Sequence, residues 1–166
     1  MKIDRIFYIN LDRRTDRRKE IEEEFAKMDI ISCDQPNPDN KLVFERFSAI
    51  KHDTIGGVGC GKSHIGVLKL AQERNYSTII ILEDDFMFTI SKDEFYKQLT
   101  FLDGVYMDVC LLSGNLMNYN SSGLTPNLYR LFKAQTTSGY FIHCRYNDTL
   151  IECFQTAIEN FERTNH

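Results

Sequence analysis

A run of four aliphatic residues followed by three acids is the feature that most constrains the fold of this chain. Residues 79–82 are Ile-Ile-Ile-Leu, and Glu83, Asp84 and Asp85 come directly after them. A strand without polar alternation is buried on both faces, which is typical of a parallel sheet covered by helices. Ligands of such sheets bind at the carboxyl ends of the strands. The three acids therefore follow a strand at the place where a binding site is expected.

The rest of the chain alternates strands and helices. Hydrophobic patterns predict strands over residues 5–10, 42–49, 77–82, 108–113, 128–135 and 140–144, and helices over 15–28, 63–75, 91–102 and 147–161. Thr15 is expected to cap the first helix, and Ser91 with Glu94 forms a capping box for the third. Residues 33–40 and 114–127 are predicted loops. This order indicates an α/β fold with a mostly parallel central sheet flanked by helices.

Composition narrows the class of protein. The 166 residues suit a single domain, and 42% hydrophobic with 27% charged residues is typical of a globular chain. The net charge of −4 disfavours a nucleic-acid binder. No apolar run is long enough for a membrane span or a signal peptide. Five scattered cysteines form no CxxC pair and are expected to be buried, reduced thiols, so we expect a cytoplasmic location.

The acidic triplet predicts a metal site. Residues two apart in an extended chain point to the same side, so Glu83 and Asp85 can share one ion. Carboxylate oxygens suit Mn²⁺ or Mg²⁺, and such ions usually also hold a diphosphate. The alternative is a solvated acidic turn with no ligand.

A glycine cluster offers a competing interpretation. Residues 56–63, Gly-Gly-Val-Gly-Cys-Gly-Lys-Ser, match the phosphate-binding pattern GxxxxGK[ST], and a helix is predicted to follow. That motif should follow a buried hydrophobic strand, whereas residues 51–55 are polar. A P-loop kinase or ATPase therefore stays a weaker alternative. The other interpretation is a glycine-rich break in regular structure that lets the following helix pack closely on the sheet.

A run of basic residues lies where the first strand becomes the first helix. Arg13 and Arg17 are four apart, as are Arg14 and Arg18, so each pair can face one way. A pair of arginines at a helix N-terminus would suit a phosphate. Alternatively the run is a solvated face on which Arg18 pairs with Glu22.

Histidines and cysteines point to no further chemistry. A lone histidine such as His64 is more often structural than catalytic, and the histidines at positions 52, 64, 143 and 166 show no zinc pattern. Cys60 and Cys110 are most simply core residues, since no recognisable base activates either thiol.

Four segments in order along the chain carry a resemblance to a known family. Residues 7–18 (FYINLDRRTDRR) resemble an IxLxRRxDR start, and residues 57–64 (GVGCGKSH) resemble a GxxGCxxSH segment. Residues 81–85 (ILEDD) resemble a strand ending in EDD, and residues 137–142 (TSGYFI) resemble a TxxYxI strand. Together they resemble glycosyltransferase family 25, which includes lipooligosaccharide sugar transferases and collagen hydroxylysine galactosyltransferases.

The resemblance implies a GT-A type fold that binds a nucleotide sugar at the carboxyl ends of its first strands. It implies that the acidic triplet stands in for the DXD motif, with Glu83 and Asp85 as ligands of Mn²⁺ or Mg²⁺. The donor is expected to be UDP-galactose or UDP-glucose. The residues expected to bind it are Ile9, Asn10, Leu11, Arg13, Arg17, Ser63, His64 and Asp84.

The expected reaction is metal-dependent, inverting transfer of a hexose from a UDP-sugar to a hydroxyl of a glycan or protein acceptor. Inversion calls for a carboxylate base, for which Asp84, Asp108 and Asp148 are candidates. The family usually continues with a further acidic segment, so residues 1–166 are expected to be one transferase-like domain, either minimal or part of a longer enzyme. The alternative is a non-catalytic nucleotide- or glycan-binding module of the same fold.

Overall fold

The computed structural model describes residues 2–164, so Met1, Asn165 and His166 lie outside the described part of the chain. The strands are β1 (Arg5–Asn10), β2 (Ile31–Ser32), β3 (Val43–Ser48), β4 (Thr78–Glu83), β5 (Val109–Leu111), β6 (Asn115–Ser121), β7 (Tyr129–Gln135) and β8 (Gly139–His143). The helices are α1 (Thr15–Lys27), α2 (Gly56–Glu73), α3 (Lys92–Leu102) and α4 (Asn147–Thr164), the last preceded by a 3-10 turn over Cys144–Tyr146.

Six strands form the central sheet in the order β2-β3-β1-β4-β8-β5. The first four in this order run parallel, and β8 is antiparallel to both of its neighbours. The predicted α/β class with a mostly parallel sheet is confirmed. β1, β3 and β4 end at the same side of the sheet, which is called the carboxyl edge below; the opposite side is the amino edge.

Helices cover both faces of the sheet, as the apolar sequence of β4 predicted. Ile80 and Leu82 pack in a cluster that includes residues of α1 and α3. Ile79 and Ile81 point the other way, into a cluster that includes residues of α2 and α4. Strand alternation therefore assigns each residue of β4 to one of two separate cores.

The glycine cluster is helical, so the prediction that it breaks regular structure is wrong. α2 begins at Gly56 and continues through the whole cluster, with Ile55 as its N-cap residue. A phosphate loop of the P-loop type is therefore not formed by residues 56–61. Three of the helical glycines allow close packing, because a Cβ atom at each position would come too near a neighbour. At Gly59 it would lie 2.6 Å from the carbonyl oxygen of Ile50. At Gly61 it would lie 3.0 Å from Ile158, and at Gly66 it would lie 2.5 Å from Phe47.

Other local predictions have mixed outcomes. The Ser91 hydroxyl accepts a hydrogen bond from the Glu94 N–H at 3.3 Å, as the capping box predicted. Thr15 is the first residue of α1 rather than its cap; the N-cap is Arg14, without a side-chain capping bond. Part of the predicted loop 114–127 is strand, since β6 pairs with β7 in a separate hairpin. Every residue of β6 is exposed, so no buried face produced an alternating pattern.

All five cysteines are unpaired, but the prediction that they are buried is wrong for three of them. Cys33, Cys144 and Cys153 are exposed, whereas Cys60 and Cys110 are partly buried. Within residues 2–164, no helix combines the length and the apolar character needed to cross a bilayer.

Two alanine substitutions test the close packing of α2. We expect Gly59→Ala to destabilise the protein by about 2 kcal/mol, because the new methyl group meets backbone atoms that cannot turn away. Gly56→Ala meets nothing within 4 Å and is expected to be neutral or slightly stabilising. Urea unfolding measures both. Equal tolerance of the two substitutions would contradict the packing.

Acid sensitivity is expected from Glu24. This buried carboxylate contacts Lys27 and accepts the Phe88 N–H at 3.0 Å; Lys27 is the larger cause of a lowered pKa, which burial opposes. The stabilisation exists above the ordinary pKa near 4.5 and is lost as the pH falls through the lower folded value. Glu24→Gln should lower the free energy of unfolding by about 1 kcal/mol at pH 7. It should also reduce the loss of stability in acid.

The matched control for Glu24 is Glu23→Gln, at an exposed position of the same helix. We expect its unfolding free energy to follow the wild type at every pH. If Glu24→Gln and wild type lose stability in parallel between pH 5 and pH 2 (roughly the range in which a paired carboxylate titrates), Glu24 is not the source of the acid sensitivity.

Candidate active site at the carboxyl edge

A buried asparagine connects the ends of three strands. Asn10, the last residue of β1, is 1% exposed. Its Nδ2 donates to Asp84 Oδ2 at 2.8 Å and to the Arg14 carbonyl oxygen at 3.0 Å. Its Oδ1 accepts from Arg46 Nε, on β3, at 3.0 Å. The amide therefore holds the acidic turn after β4 against the start of α1.

Asp84 and Asp85 share one cationic group. Arg17 Nη1 lies 3.6 Å from Asp84 Oδ1 and 2.9 Å from Asp85 Oδ2. The Asp85 side chain is 53% exposed, whereas that of Asp84 is 20% exposed. The structure thus brings together three of the residues predicted for the site, with a positive charge held between two carboxylates.

An open cleft lies beside this group. It has a volume of about 540 Å³ and is lined by residues of α1 and of the acidic turn. These residues are Arg14, Arg17, Glu20, Ile21, Glu23, Glu24, Asp84, Asp85, Phe86 and Met87. Five carboxylates, two guanidinium groups and three apolar side chains line its wall, so the cleft is partly apolar and carries an excess of acids.

Glu83 lies on the other side of β4 from this cleft. Its Oε1 accepts from the Thr137 hydroxyl at 3.1 Å and lies 3.7 Å from His64 Nε2. Proximity to His64 is the largest cause that lowers the pKa of Glu83, and burial of the carboxylate opposes it. Glu83 and Asp85 therefore have different partners. The i, i+2 expectation fails because β4 ends at Glu83, so Asp85 is no longer in the strand.

His64 and Ser63 are inside α2 rather than in the cleft. His64 is fully buried and stacks on Phe154, with ring centroids 4.9 Å apart. The Ser63 hydroxyl donates to the Gly59 carbonyl oxygen at 2.7 Å and accepts the Ile50 N–H at 2.8 Å. Ser63 thereby ties α2 to the segment after β3, which is a structural role rather than the predicted contact with a nucleotide sugar.

The remaining residues predicted for the nucleotide lie on or just after β1. Ile9 is buried in the core under α2 and α4. The Leu11 carbonyl oxygen accepts the Arg14 N–H at 2.8 Å, which forms the turn into α1. Arg13 is exposed. Arg18 forms the predicted ion pair with Glu22 at 3.0 Å.

Two of the three proposed bases lie at the amino edge. The Asp108 carboxylate accepts a hydrogen bond from Arg145 Nε at 2.6 Å. The Asp108 carbonyl oxygen accepts the N–H of His143, and His143 pairs with the first residue of β4, so Asp108 lies where β4 begins. Asp148 accepts from Gln72 Nε2, near the end of α2, at 2.7 Å. The length of β4, about 16 Å, separates that edge from the acidic turn. Only Asp84 of the three is at the candidate site.

Sequence reasoning assigned no role in the site to two polar residues of this edge. Arg46 contacts Asn10 and Asp12. Its charge inside a predicted strand is the sequence feature that could have indicated a role at this edge. Thr137 contacts Glu83. Burial raises the pKa of the Cys60 thiol to about 11. His64 and Glu83 both lie beside this thiol, so the expectation that no base or acid accompanies it is wrong.

Comparison with known proteins supplies the family. The model of Glycosyltransferase family 25 (LPS biosynthesis protein) matches residues 3–163. A Glycosyltransferase 25 family member of Drosophila melanogaster is 31% identical over 103 residues, which are 53% of this chain and 17% of that protein. The crystal structure of a glycosyltransferase involved in the glycosylation of the major capsid of PBCV-1 aligns with a TM-score of 0.47 and 12% identity, over 91% of this chain and 65% of that chain.

The family match and the geometry point to the same part of the molecule. The motif segments expected for the family include Asn10, Arg17, Asp84 and Asp85, which the fold brings into contact at the carboxyl edge. Since the family model also covers almost the whole chain, the protein belongs to glycosyltransferase family 25.

Proposed function

We propose that this chain transfers a hexose, galactose or glucose, from a UDP-sugar to a hydroxyl of a glycan or protein acceptor, with inversion and with Mn²⁺ or Mg²⁺ bound. Family membership supports glycosyl transfer. The observation that carries the donor half is the pair of aspartates that holds one positive charge beside an open cleft. This arrangement suits a GT-A type site, in which carboxylates at a strand end hold a cation and the cation holds a diphosphate.

The residues of the acidic turn fit a hard divalent cation. The position of Arg17 Nη1 marks a point that one oxygen of Asp84 and one oxygen of Asp85 both approach. Carboxylate oxygens are the ligands that Mn²⁺ and Mg²⁺ prefer. We therefore assign the cation to Asp84 and Asp85, rather than to Glu83 with Asp85. When bound, it would neutralise the charge that develops as the nucleoside diphosphate leaves.

Arg17 has a second role in this proposal. A cation held by the two aspartates would repel the guanidinium, which then becomes available to the diphosphate in the cleft. Arginine is suited to this because its planar donors match phosphate oxygens. Asn10 keeps Asp84 in place while the cation replaces the guanidinium, since the Asn10 amide is buried and both its nitrogen and its oxygen are hydrogen-bonded.

Binding of UDP should depend on the metal and on Asp85. In calorimetric titrations of the wild type we expect Mn²⁺ to raise the affinity for UDP by at least about tenfold, because the ion links the carboxylates to the diphosphate. Asp85→Ala should lose this gain. Asp39→Ala, an exposed aspartate of the 33–40 loop, should keep it. Equal UDP affinity with and without Mn²⁺ in all three proteins would refute the donor site.

Two neighbouring arginines provide a second test. Arg17→Gln should weaken UDP binding in the presence of Mn²⁺ by about tenfold, because a direct phosphate contact is lost. Arg18→Gln should bind UDP as the wild type does, since Arg18 pairs with Glu22 on the helix surface. If both variants bind equally well, Arg17 does not contact the diphosphate.

Turnover separates an enzyme from a binding module of the same fold. We expect UDP-galactose or UDP-glucose to release UDP slowly, by transfer to an acceptor or to water, in the wild type but not in Asp85→Ala. Binding of UDP-sugars without any release would favour the non-catalytic module. Lys62→Ala should bind UDP normally, because Lys62 lies on a helix and pairs with Glu162.

A further inference from the structure

A second group of potential ligands lies on the opposite face of β4 from Asp84. Cys60 and His64 are four residues apart on α2 and therefore share one face of the helix. Glu83 meets them from the end of β4. The Cys60 Sγ, a ring nitrogen of His64 and a carboxylate oxygen of Glu83 all lie within 4.8 Å of one another. The sequence showed no zinc pattern because the third potential ligand comes from a distant strand and is not a histidine.

An unpaired nitrogen points into this group. His64 is 0% exposed, and within residues 2–164 its Nε2 has no hydrogen-bond partner. The nearest carboxylate oxygen, Oε1 of Glu83, is 3.7 Å away, which is too far for a hydrogen bond. A buried nitrogen without a partner destabilises the folded state. Something other than the described side chains is therefore expected to satisfy it.

The other nitrogen of the ring is already held. His64 Nδ1 lies 3.0 Å from the hydroxyl of the buried Tyr140, and Phe154 stacks on the ring. If Nδ1 carries the proton and donates to Tyr140, Nε2 presents its lone pair to Cys60 and Glu83. A histidine that binds a metal typically has its second nitrogen bonded in this way.

The chemistry of the three side chains selects the ion. Thiolate, imidazole and carboxylate are all ligands of Zn²⁺, which tolerates a fourth position filled by water. One thiolate and one carboxylate would also cancel the charge of a divalent cation, which matters in a partly buried setting. A hard ion such as Mn²⁺ has no preference for the sulfur.

We propose that Cys60, His64 and Glu83 bind a zinc-class divalent cation, separate from the hard cation assigned to Asp84 and Asp85. This ion would link α2 to the last residue of β4, next to the acidic turn. The inference rests on the group formed by Cys60, His64 and Glu83 alone and does not depend on the proposed donor site.

Cobalt provides a direct readout. The reduced wild-type protein is stripped with a chelator and titrated with Co²⁺. We expect one equivalent to produce a thiolate-to-cobalt charge-transfer band, which Zn²⁺ then removes. Cys60→Ser should abolish the band, and Cys110→Ser, at another partly buried cysteine, should keep it. Tyr140→Phe should bind Zn²⁺ roughly 10- to 100-fold more weakly, as expected when the partner of a histidine ligand is lost.

Two further measurements keep the test independent of folding and of the donor site. In the wild type, Zn²⁺ should protect Cys60 from alkylation but leave the exposed Cys33 and Cys153 reactive, as read by mass spectrometry. Asp85→Ala should retain the cobalt band even though it loses Mn²⁺-dependent UDP binding. Absence of the band in the wild type, its persistence in Cys60→Ser, or equal alkylation of Cys60 with and without Zn²⁺ would overturn the proposal.

Discussion

The buried amide of Asn10 is the interaction on which the carboxyl edge depends. Each side of that amide is bonded to a different segment, Asp84 after β4 and Arg46 on β3. In an apolar setting, losing one of these bonds would leave a polar group unpaired at a cost of about 1–3 kcal/mol. The ends of three strands are therefore kept in a fixed relation, and the acidic turn is aimed at α1 and its arginine.

On the opposite face of the sheet, the glycine-rich start of α2 determines how closely the helix packs. Gly59, Gly61 and Gly66 let the helix approach the backbone after β3, helix α4 and Phe47 more closely than any side chain would allow. This close approach places Cys60 and His64 against the end of β4, where Glu83 meets them. A pattern that resembles a phosphate loop in sequence is thus a packing device in the folded chain.

The end of β4 separates two groups of potential ligands. Glu83, still in the strand, faces a partly buried thiol and a buried imidazole, whereas Asp84 and Asp85 face an arginine and an open cleft. Strand alternation turns successive residues to opposite faces, and the turn that follows sends Asp85 to the side of α1. In our two proposals, the three consecutive acids therefore bind two ions of different hardness and share neither.

The sequence by itself determined the α/β class, the acid-ended strand, the predicted helices and the polar residues of the first motif. These depend on burial and periodicity within one segment, which a local pattern records. Only the tertiary structure decided that β8 is antiparallel and that residues 56–61 are helical. It also decided that Asp108 and Asp148 lie at the amino edge. These outcomes depend on contacts between distant segments, such as α2 against α4 and β8 against β4, and no local pattern contains them.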